Sequence, residues 1–337
     1  MRLTRALGLT LAATVVVALA ACGSDEKNGT TAPKTIDKVN YATGFGMFGR
    51  EAYIYTAIEK GYFRDAGIEV SVKPGNGTGD TLKNIVSGQI DFAPVDGTGF
   101  LLQAGQGQVK GVTAVAAIHQ RSLAGIMTLE GRGITSPKDL EGKTVGDPTG
   151  STIGLMFPMY AQLAGIDASK VKFVNIPAPQ LPTTLAAGSV DTIGQFVVGK
   201  PTIEKAAAGK KAVVLQYSDY LTDLYGNMLV TTEKTAKEKP DLVKRFSAAL
   251  LKGLTYSIQH PDEAAQALVK NQPTQNGEVA AGELQLMGAY VTGGTSTVGA
   301  LDSQRVARCI AILQGANMIP SGLKPEQVVS FDLTPKA

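Results

Sequence analysis

Tryptophan is absent from the 337 residues, and histidine and cysteine occur only twice each. Cys22 and Cys309 alone cannot build a disulfide framework or a cysteine-based zinc site. His119 and His260 lie far apart in the chain, and no HExxH helix, GxSxG elbow or P-loop appears. Metal-assisted hydrolysis, nucleophile-elbow chemistry and nucleotide hydrolysis thus lack their usual carriers, and no cofactor is implied. Basic runs are missing too. The 32 Lys and Arg, less Arg2 and Arg5, leave 30 against 29 Asp and Glu, a near-neutral balance with no electrostatic footprint for nucleic acid. The only long uncharged apolar run covers residues 6–18, too short for a membrane span with ordinary flanks.

What is present begins with an export signal. Arg2 and Arg5 precede that apolar run, the arrangement of a secretory leader. It closes on Leu19-Ala20-Ala21-Cys22-Gly23, which resembles the bacterial lipobox, so Cys22 is expected to carry lipid and become the mature N-terminus. Residues 23–34 are rich in Gly, Ser, Thr and Lys and read as a flexible tether. The division is a leader over 1–22, a tether over 23–35, and about 300 residues that suffice for two cored domains.

The stretch 134–152 organises the remainder. Ser136, Pro137 and Asp139 supply an N-cap, an N1 proline and a capping-box acid for a short helix that Gly142 ends. A strand over 143–146 follows, then Asp147-Pro148-Thr149-Gly150-Ser151-Thr152, then an apolar-periodic helix carrying Ile153, Met156, Phe157 and Tyr160. Hydroxyls at a helix start serve as caps, and the free N–H groups and dipole there favour an anion or an acceptor-rich ligand.

Short strands alternate with helices elsewhere. Strands are predicted over 38–42, 69–73, 90–95, 112–118, 190–194, 212–216 and 227–231, and helices over 52–60 and 80–87. This rhythm implies a mainly parallel sheet covered by helices on both faces. From Pro240 onward the chain turns helical, with Leu242, Phe246, Leu250, Leu254 and Ile258 on one stripe, stopped at His260-Pro261. Further helices are expected over 262–270, 278–291 and 302–315; Cys309 in the last is expected to be a buried, inert thiol.

Two blocks recur at an offset of about one hundred residues. Residues 85–91 resemble 185–191, and Ala66-Gly67-Ile68-Glu69 resembles Ala164-Gly165-Ile166-Asp167. Each is a helix end, a glycine C-cap and an incoming strand, which argues for two related α/β domains in succession. Ligands of open parallel sheets sit at the carboxyl ends of strands. That places Asp96 and Thr98, Gln195 and Phe196, and Thr149, Ser151 and Thr152 beside a cleft. Asn76 and Thr78 in a glycine-rich turn, and His119 and Gln120 after the 112–118 strand, join them.

Several segments in order resemble a known family: Ala57-Ile58-Glu59-Lys60-Gly61-Tyr62-Phe63, Gly88-Gln89-Ile90-Asp91-Phe92, Ser136-Pro137-Lys138-Asp139-Leu140, Tyr225-Gly226-Asn227-Met228-Leu229 and Pro240-Asp241-Leu242-Val243. Together they look like the NMT1/THI5-like solute-binding proteins of ABC importers, which bind thiamine-pyrimidine precursors, sulfonates, nitrate or riboflavin. The resemblance implies a periplasmic-binding-protein fold of type II: two lobes with parallel-rich sheets and a ligand cleft between them. Lobe one would be residues 36–117 with 218–337, and lobe two 118–217, with crossings near 117–119 and 216–220. It also implies a monomer that captures a small organic solute and hands it to a permease and its ATPase, lipid-anchored outside the cytoplasmic membrane. Pyrimidine binders carry an aromatic, often Trp, after the first strand. Here Phe45, Phe48 and Tyr53 stand in its place, and Tyr225 joins them as a ligand-side aromatic. The hydroxyl-rich turn before Thr152 looks closer to the sulfonate binders, so a thiamine-pyrimidine precursor and a sulfonate- or nitrate-type anion both stand as solutes. The family also holds yeast enzymes that make a thiamine pyrimidine with a cysteine-rich motif, which this chain does not have. A surface lipoprotein that senses without transport is the third class.

Overall fold

Runs with period-two apolar patterning and runs with period-3.6 patterning alternate, and each buries one face against the other kind. The computed structural model describes residues 36–293 and 297–336. The expected leader, Cys22 and the tether lie outside the described residues. The chain opens with β1 (Asp37–Ala42), a two-residue β2 (Phe45–Gly46), α1 (Ala52–Glu59), α2 (Tyr62–Asp65) and β3 (Ile68–Lys73). A two-residue β4 (Gly75–Asn76), α3 (Thr78–Val86), β5 (Ala93–Asp96), α4 (Gly97–Gly105) and β6 (Val112–Ala117) come next. Then follow β7 (Ala124–Leu129), β8 (Thr144–Asp147), α5 (Thr152–Ala164), β9 (Lys172–Asn175), α6 (Leu181–Ala186), β10 (Thr192–Phe196), α7 (Lys200–Ala206) and β11 (Ala212–Gln216). The chain returns through β12 (Asn227–Thr232) to α8 (Glu233–Glu238), α9 (Pro240–Gln259), α10 (Pro261–Asn271), α11 (Gly277–Thr292) and α12 (Ser303–Gly315).

Two sheets result. One has the order β11-β7-β10-β8-β9. The other consists of β3-β1 and β5-β12-β6, joined by a parallel bridge between Tyr41 and Phe92. Read as β3-β1-β5-β12-β6, it matches β9-β8-β10-β7-β11 strand for strand, and in direction: parallel pairs on one side, antiparallel insertion of β12 or β7 on the other. The repeat seen in sequence is therefore a repeat of topology. Gly88 and Gly188 close the equivalent helices α3 and α6 at φ 74° and 76°, a conformation that favours glycine. The pairing is less uniformly parallel than the βαβ rhythm implies. In each sheet a strand that arrives from the other sheet, β12 or β7, inserts antiparallel next to the edge strand, an event that leaves no mark in local periodicity.

The stripe of α9 finds its place against the first sheet. Phe246 stacks on Phe92 with centroids 4.2 Å apart and lies 5.1 Å from Phe63 and 6.0 Å from Tyr41. The chain crosses between sheets twice, over residues 118–123 and 217–226. The crossings bond to each other: Gly226 N donates to His119 O at 3.1 Å and Ser122 N to Leu224 O at 3.0 Å. Among the described residues no helix is long and apolar enough to cross a membrane.

Candidate functional site

The carboxyl ends of equivalent strands carry the site. Asp96 ends β5 and caps α4: its Oδ1 accepts from Gly99 N at 2.8 Å, and its own N–H donates to Thr78 Oγ1 at 3.1 Å. Asp147 ends β8, and Ser151 caps α5 by accepting from Gly154 N at 2.9 Å while donating to the Asp147 carboxylate. The two helix starts meet. A Cβ on Gly99 would stand 2.8 Å from Thr152 Oγ1, so only glycine lets α4 approach α5 this closely. The Thr152 hydroxyl lies against the Asp96 carboxyl and favours its charged form, while Asp96 Oδ2 has no hydrogen-bond partner among the described residues. Burial pushes both carboxyls up to about 6, although neighbouring amides and hydroxyls pull the other way.

A cation and aromatic rings stand at the next pair of strand ends. Phe45 and Phe48 stack at 6.2 Å, and the buried Arg50 lies 4.5 Å over Phe48 and 5.8 Å over Phe196 at the end of β10. Arg50 is held by Glu283 of α11, whose Oε2 accepts from Arg50 N at 3.0 Å and faces the guanidinium at 3.7 Å. Glu283 Oε1 accepts from Thr202 of α7 at 2.7 Å, so one buried carboxylate ties the first loop to the other sheet's helix. Beneath lies Glu51, pushed up to about 7 mainly by burial, with the Arg50 charge opposing.

The other expected residues divide by what their polar atoms already bond. His119 is buried on the first crossing; its Nδ1 accepts from Asn227 N at 3.3 Å and its Nε2 has no partner. Burial, then the Arg50 charge, lowers its pKa to about 3, so the ring is neutral with its proton on Nε2. Tyr53 packs in the core, its hydroxyl 3.1 Å from that of Tyr41 and 3.3 Å from Glu51. Gln120 is spent on Ala300 O at 2.8 Å and on Arg305, and Tyr225 accepts from Asp302 N at 3.0 Å with Arg305 3.9 Å over its ring. Asn76 is exposed and bonded to Asp80 at 2.7 Å. Thr149 is exposed, its N–H bonded to Asn175, and Gln195 folds back so that its Oε1 accepts from Phe196 N. The structure thus brings together Thr78, Asp96, Ser151 and Thr152, and separately Phe45, Phe48 and Phe196, with His119 behind. It does not bring Tyr53, Asn76, Gln120, Thr149, Gln195 or Tyr225 to them with a free polar group.

Eight buried side-chain polar atoms lack a hydrogen-bond partner among the described residues, and five of them, on Asp96, Thr98, His119, Asp147 and Ser218, lie at these strand ends and crossings. Buried polar groups are normally paired, so such a concentration makes these strand ends the candidate site. Sequence reasoning left Asp147, Glu51 and Ser218 out of the site. Asp147 had a signal, an acid at the end of an apolar strand as at Asp96; Ser218 had none. Among the described residues no group of His, Cys, Asp and Glu could hold a metal ion.

The pattern that defines the family described as NMT1/THI5 like matches residues 50–264. The chain belongs to the NMT1/THI5-like family. Among its relatives, a formylaminopyrimidine-binding protein of Halalkalibacterium halodurans is 27% identical over 66% of this chain and 67% of its own length. A 4-amino-5-hydroxymethyl-2-methylpyrimidine phosphate synthase of Candida albicans is 24% identical over 70% of this chain and 72% of its own. In structure, the periplasmic aliphatic sulphonate binding protein SsuA of Escherichia coli superposes with a TM-score of 0.69 at 13% identity, covering 87% of this chain and 92% of that one. The fold is the two-lobed periplasmic-binding-protein fold of type II, with the cleft where the strand ends of the two sheets face each other.

Proposed function

We propose that this chain is the exported solute-binding protein of an ABC importer, closing on a small heterocyclic solute such as a thiamine-pyrimidine precursor and presenting it to a permease and its ATPase. The carrying observation is the gathering of partnerless buried polar atoms at facing strand ends of two sheets of one topology. Lobe one is residues 36–117 with 218–337 and lobe two is 118–217, each crossing acting as a hinge. Phe48, Phe196 and the Arg50 guanidinium between them suit the faces of a flat ring, and the His119 Nε2–H offers it a donor. The stretch ending at Cys22, which resembles a lipobox, supports a lipid anchor on the outer face of the membrane, and the protein acts as a monomer. Binding rather than catalysis is supported by the sequence, which has no cysteine cluster of the kind expected of the pyrimidine-making enzymes. An anionic solute is the second reading, favoured by the buried Arg50 and by the hydroxyls that open α5.

A thermal-shift panel on the full chain tests this: formylaminopyrimidine, riboflavin, ethanesulfonate and nitrate, on wild type and on Ser151→Ala/Thr152→Ala. Stabilisation by formylaminopyrimidine is expected. If the anion reading holds instead, ethanesulfonate or nitrate stabilises, and the double variant weakens that by about 1–3 kcal/mol. Melting that no small solute shifts would contradict the transport role.

A further inference from the structure

α11 packs on α9 and α10 beside the first sheet and also touches α7, a helix of the second. Near the C-terminal end of α11 the Tyr290 hydroxyl donates to Gln216 Oε1 at the end of β11, and Tyr290 O accepts from Gln120 N of the first crossing at 2.6 Å. Two turns earlier, about 10 Å along the helix axis, Glu283 meets α7. Glu283 is fully buried. Its Oε1 accepts from the Thr202 hydroxyl at 2.7 Å, while its Oε2 accepts from Arg50 N at 3.0 Å and lies 3.7 Å from the guanidinium. One carboxylate therefore takes one partner from the loop after β1 and another from the other sheet's helix. The backbones close tightly on either side of it: a Cβ on Gly49 would fall 2.3 Å from Ala280 Cα, and one on Gly282 3.0 Å from Pro201 Cγ. Ile203 is the buried residue that α7 itself contributes, and a cavity of about 230 Å³, lined by Phe48, Thr202, Lys205, Asn276 and Glu283 among others, opens beside the carboxylate.

A buried ion pair adds little net stability over apolar groups of the same shape, and its attested use is to specify one arrangement of the parts it joins. Resting on the hinged lobes of the importer reading above, we propose that Glu283 is the latch of the closed state: it fastens α7 of lobe two to α11 and the Arg50 loop of lobe one, and lets go when the lobes part. Geometry sets where the release falls. The Tyr290 end of α11 lies on the crossings and moves least, the Glu283 end stands farther out, and the Thr202 bond is the contact that separates. The cavity beside it gives water a route to the freed oxygen, so opening strands no buried charge. Arg50 links the latch to the cleft. Its guanidinium stands over Phe48 at 4.5 Å and over Phe196 of lobe two at 5.8 Å, so the carboxylate that holds the lobes together also fixes the cation against both rings. A solute that touches either ring meets that cation in place only in the closed form, and its binding favours closure through Glu283.

The test needs no solute. A Cβ on Gly282 would lie 3.3 Å from Pro201 Cβ, near the ~3.5–4.5 Å of a disulfide. Pro201→Cys/Gly282→Cys in the full chain therefore gives a thiol pair that meets only when the seam is shut. Equilibration with reduced and oxidised glutathione, read by the mass of the peptide joined through positions 201 and 282, measures the effective concentration of the pair. Adding Glu283→Gln or Thr202→Val should lower it about 10-fold, as loss of a hydrogen bond to a charged group does. Thr202→Ser, which keeps the hydroxyl, should leave it at the parent value. By X-ray scattering, the reduced Glu283→Gln protein should have a larger radius of gyration than the oxidised parent. Thr202→Val leaves the carboxylate and Arg50 in place and carries both readouts if the Gln variant does not fold. Equal effective concentrations across the variants, or equal radii in these oxidised and reduced forms, would overturn the latch. So would a drop shared equally by Thr202→Ser, because packing at 202 rather than the hydroxyl would then close the seam. Each of these outcomes leaves the importer reading standing, since that reading falls on the solute panel above.

Discussion

Glu51, Asp96 and Asp147 share one situation: burial raises each above its ordinary value, to about 7, 6 and 6. A carboxyl whose folded-state pKa is raised binds its proton more tightly folded than unfolded. Its contribution therefore favours folding less as pH rises from about 4 to about 7. The half-buried Asp139, held at about 2 by the amides of Thr135 and Ser136, changes only below that window. The buried neutral His119, lowered to about 3, works the other way below about 6.5, but three raised carboxyls outweigh one imidazole. The unliganded protein is expected to melt higher near pH 5 than near pH 7.5 by calorimetry, and the reverse order would contradict that balance. Cys309 is 1% exposed, and burial pushes its thiol up to about 11. Native maleimide labelling should be far slower than labelling in denaturant, and comparable rates would contradict its inertness. Buried Cys309 was legible from its apolar helical neighbours. The fate of Gln120 and Tyr225 was not, because both are claimed by Arg305, some 185 and 80 residues downstream in the chain.

Elements were the most legible level. Helix starts and stops followed from Ser136-Pro137-Asp139, from Gly61 and from His260-Pro261, each a local signal. The strand expected over 90–95 begins only at Ala93, because Asp91 and Phe92 turn back to bond Asn40 of β1. What local pattern could not show was the antiparallel entry of β7 and β12, which depends on where the chain crosses. Among the caps, Asp302 holds α12 by accepting from Arg305 N at 2.7 Å. Replacing it with alanine should cost about 1 kcal/mol of stability. A urea midpoint unchanged in Asp302→Ala would show that α12 does not need the cap.

At the scale of the whole molecule, α12 reaches the crossings. Arg305 Nε donates to Asp223 O at 2.8 Å, and its guanidinium also bonds Gln120 O and Oε1, so one side chain grips both crossing segments. Its grip holds the middle of each crossing. Arg305→Ala should therefore speed hydrogen exchange in 118–123 and 217–226 more than in β1 or β8; uniform acceleration would mean a loss of global stability instead. The pseudo-symmetric sheets, read from two repeated blocks, supply two equivalent sets of strand ends. The proposed position of the solute is between the lobes, at the meeting of α4 and α5. Native mass spectrometry of the full chain, purified from its own host and compared with Gly99→Leu, addresses it most directly. A small-molecule mass increment is expected on the wild type and not on a folded Gly99→Leu protein. An increment that persists in that variant, or none on the wild type, would contradict it.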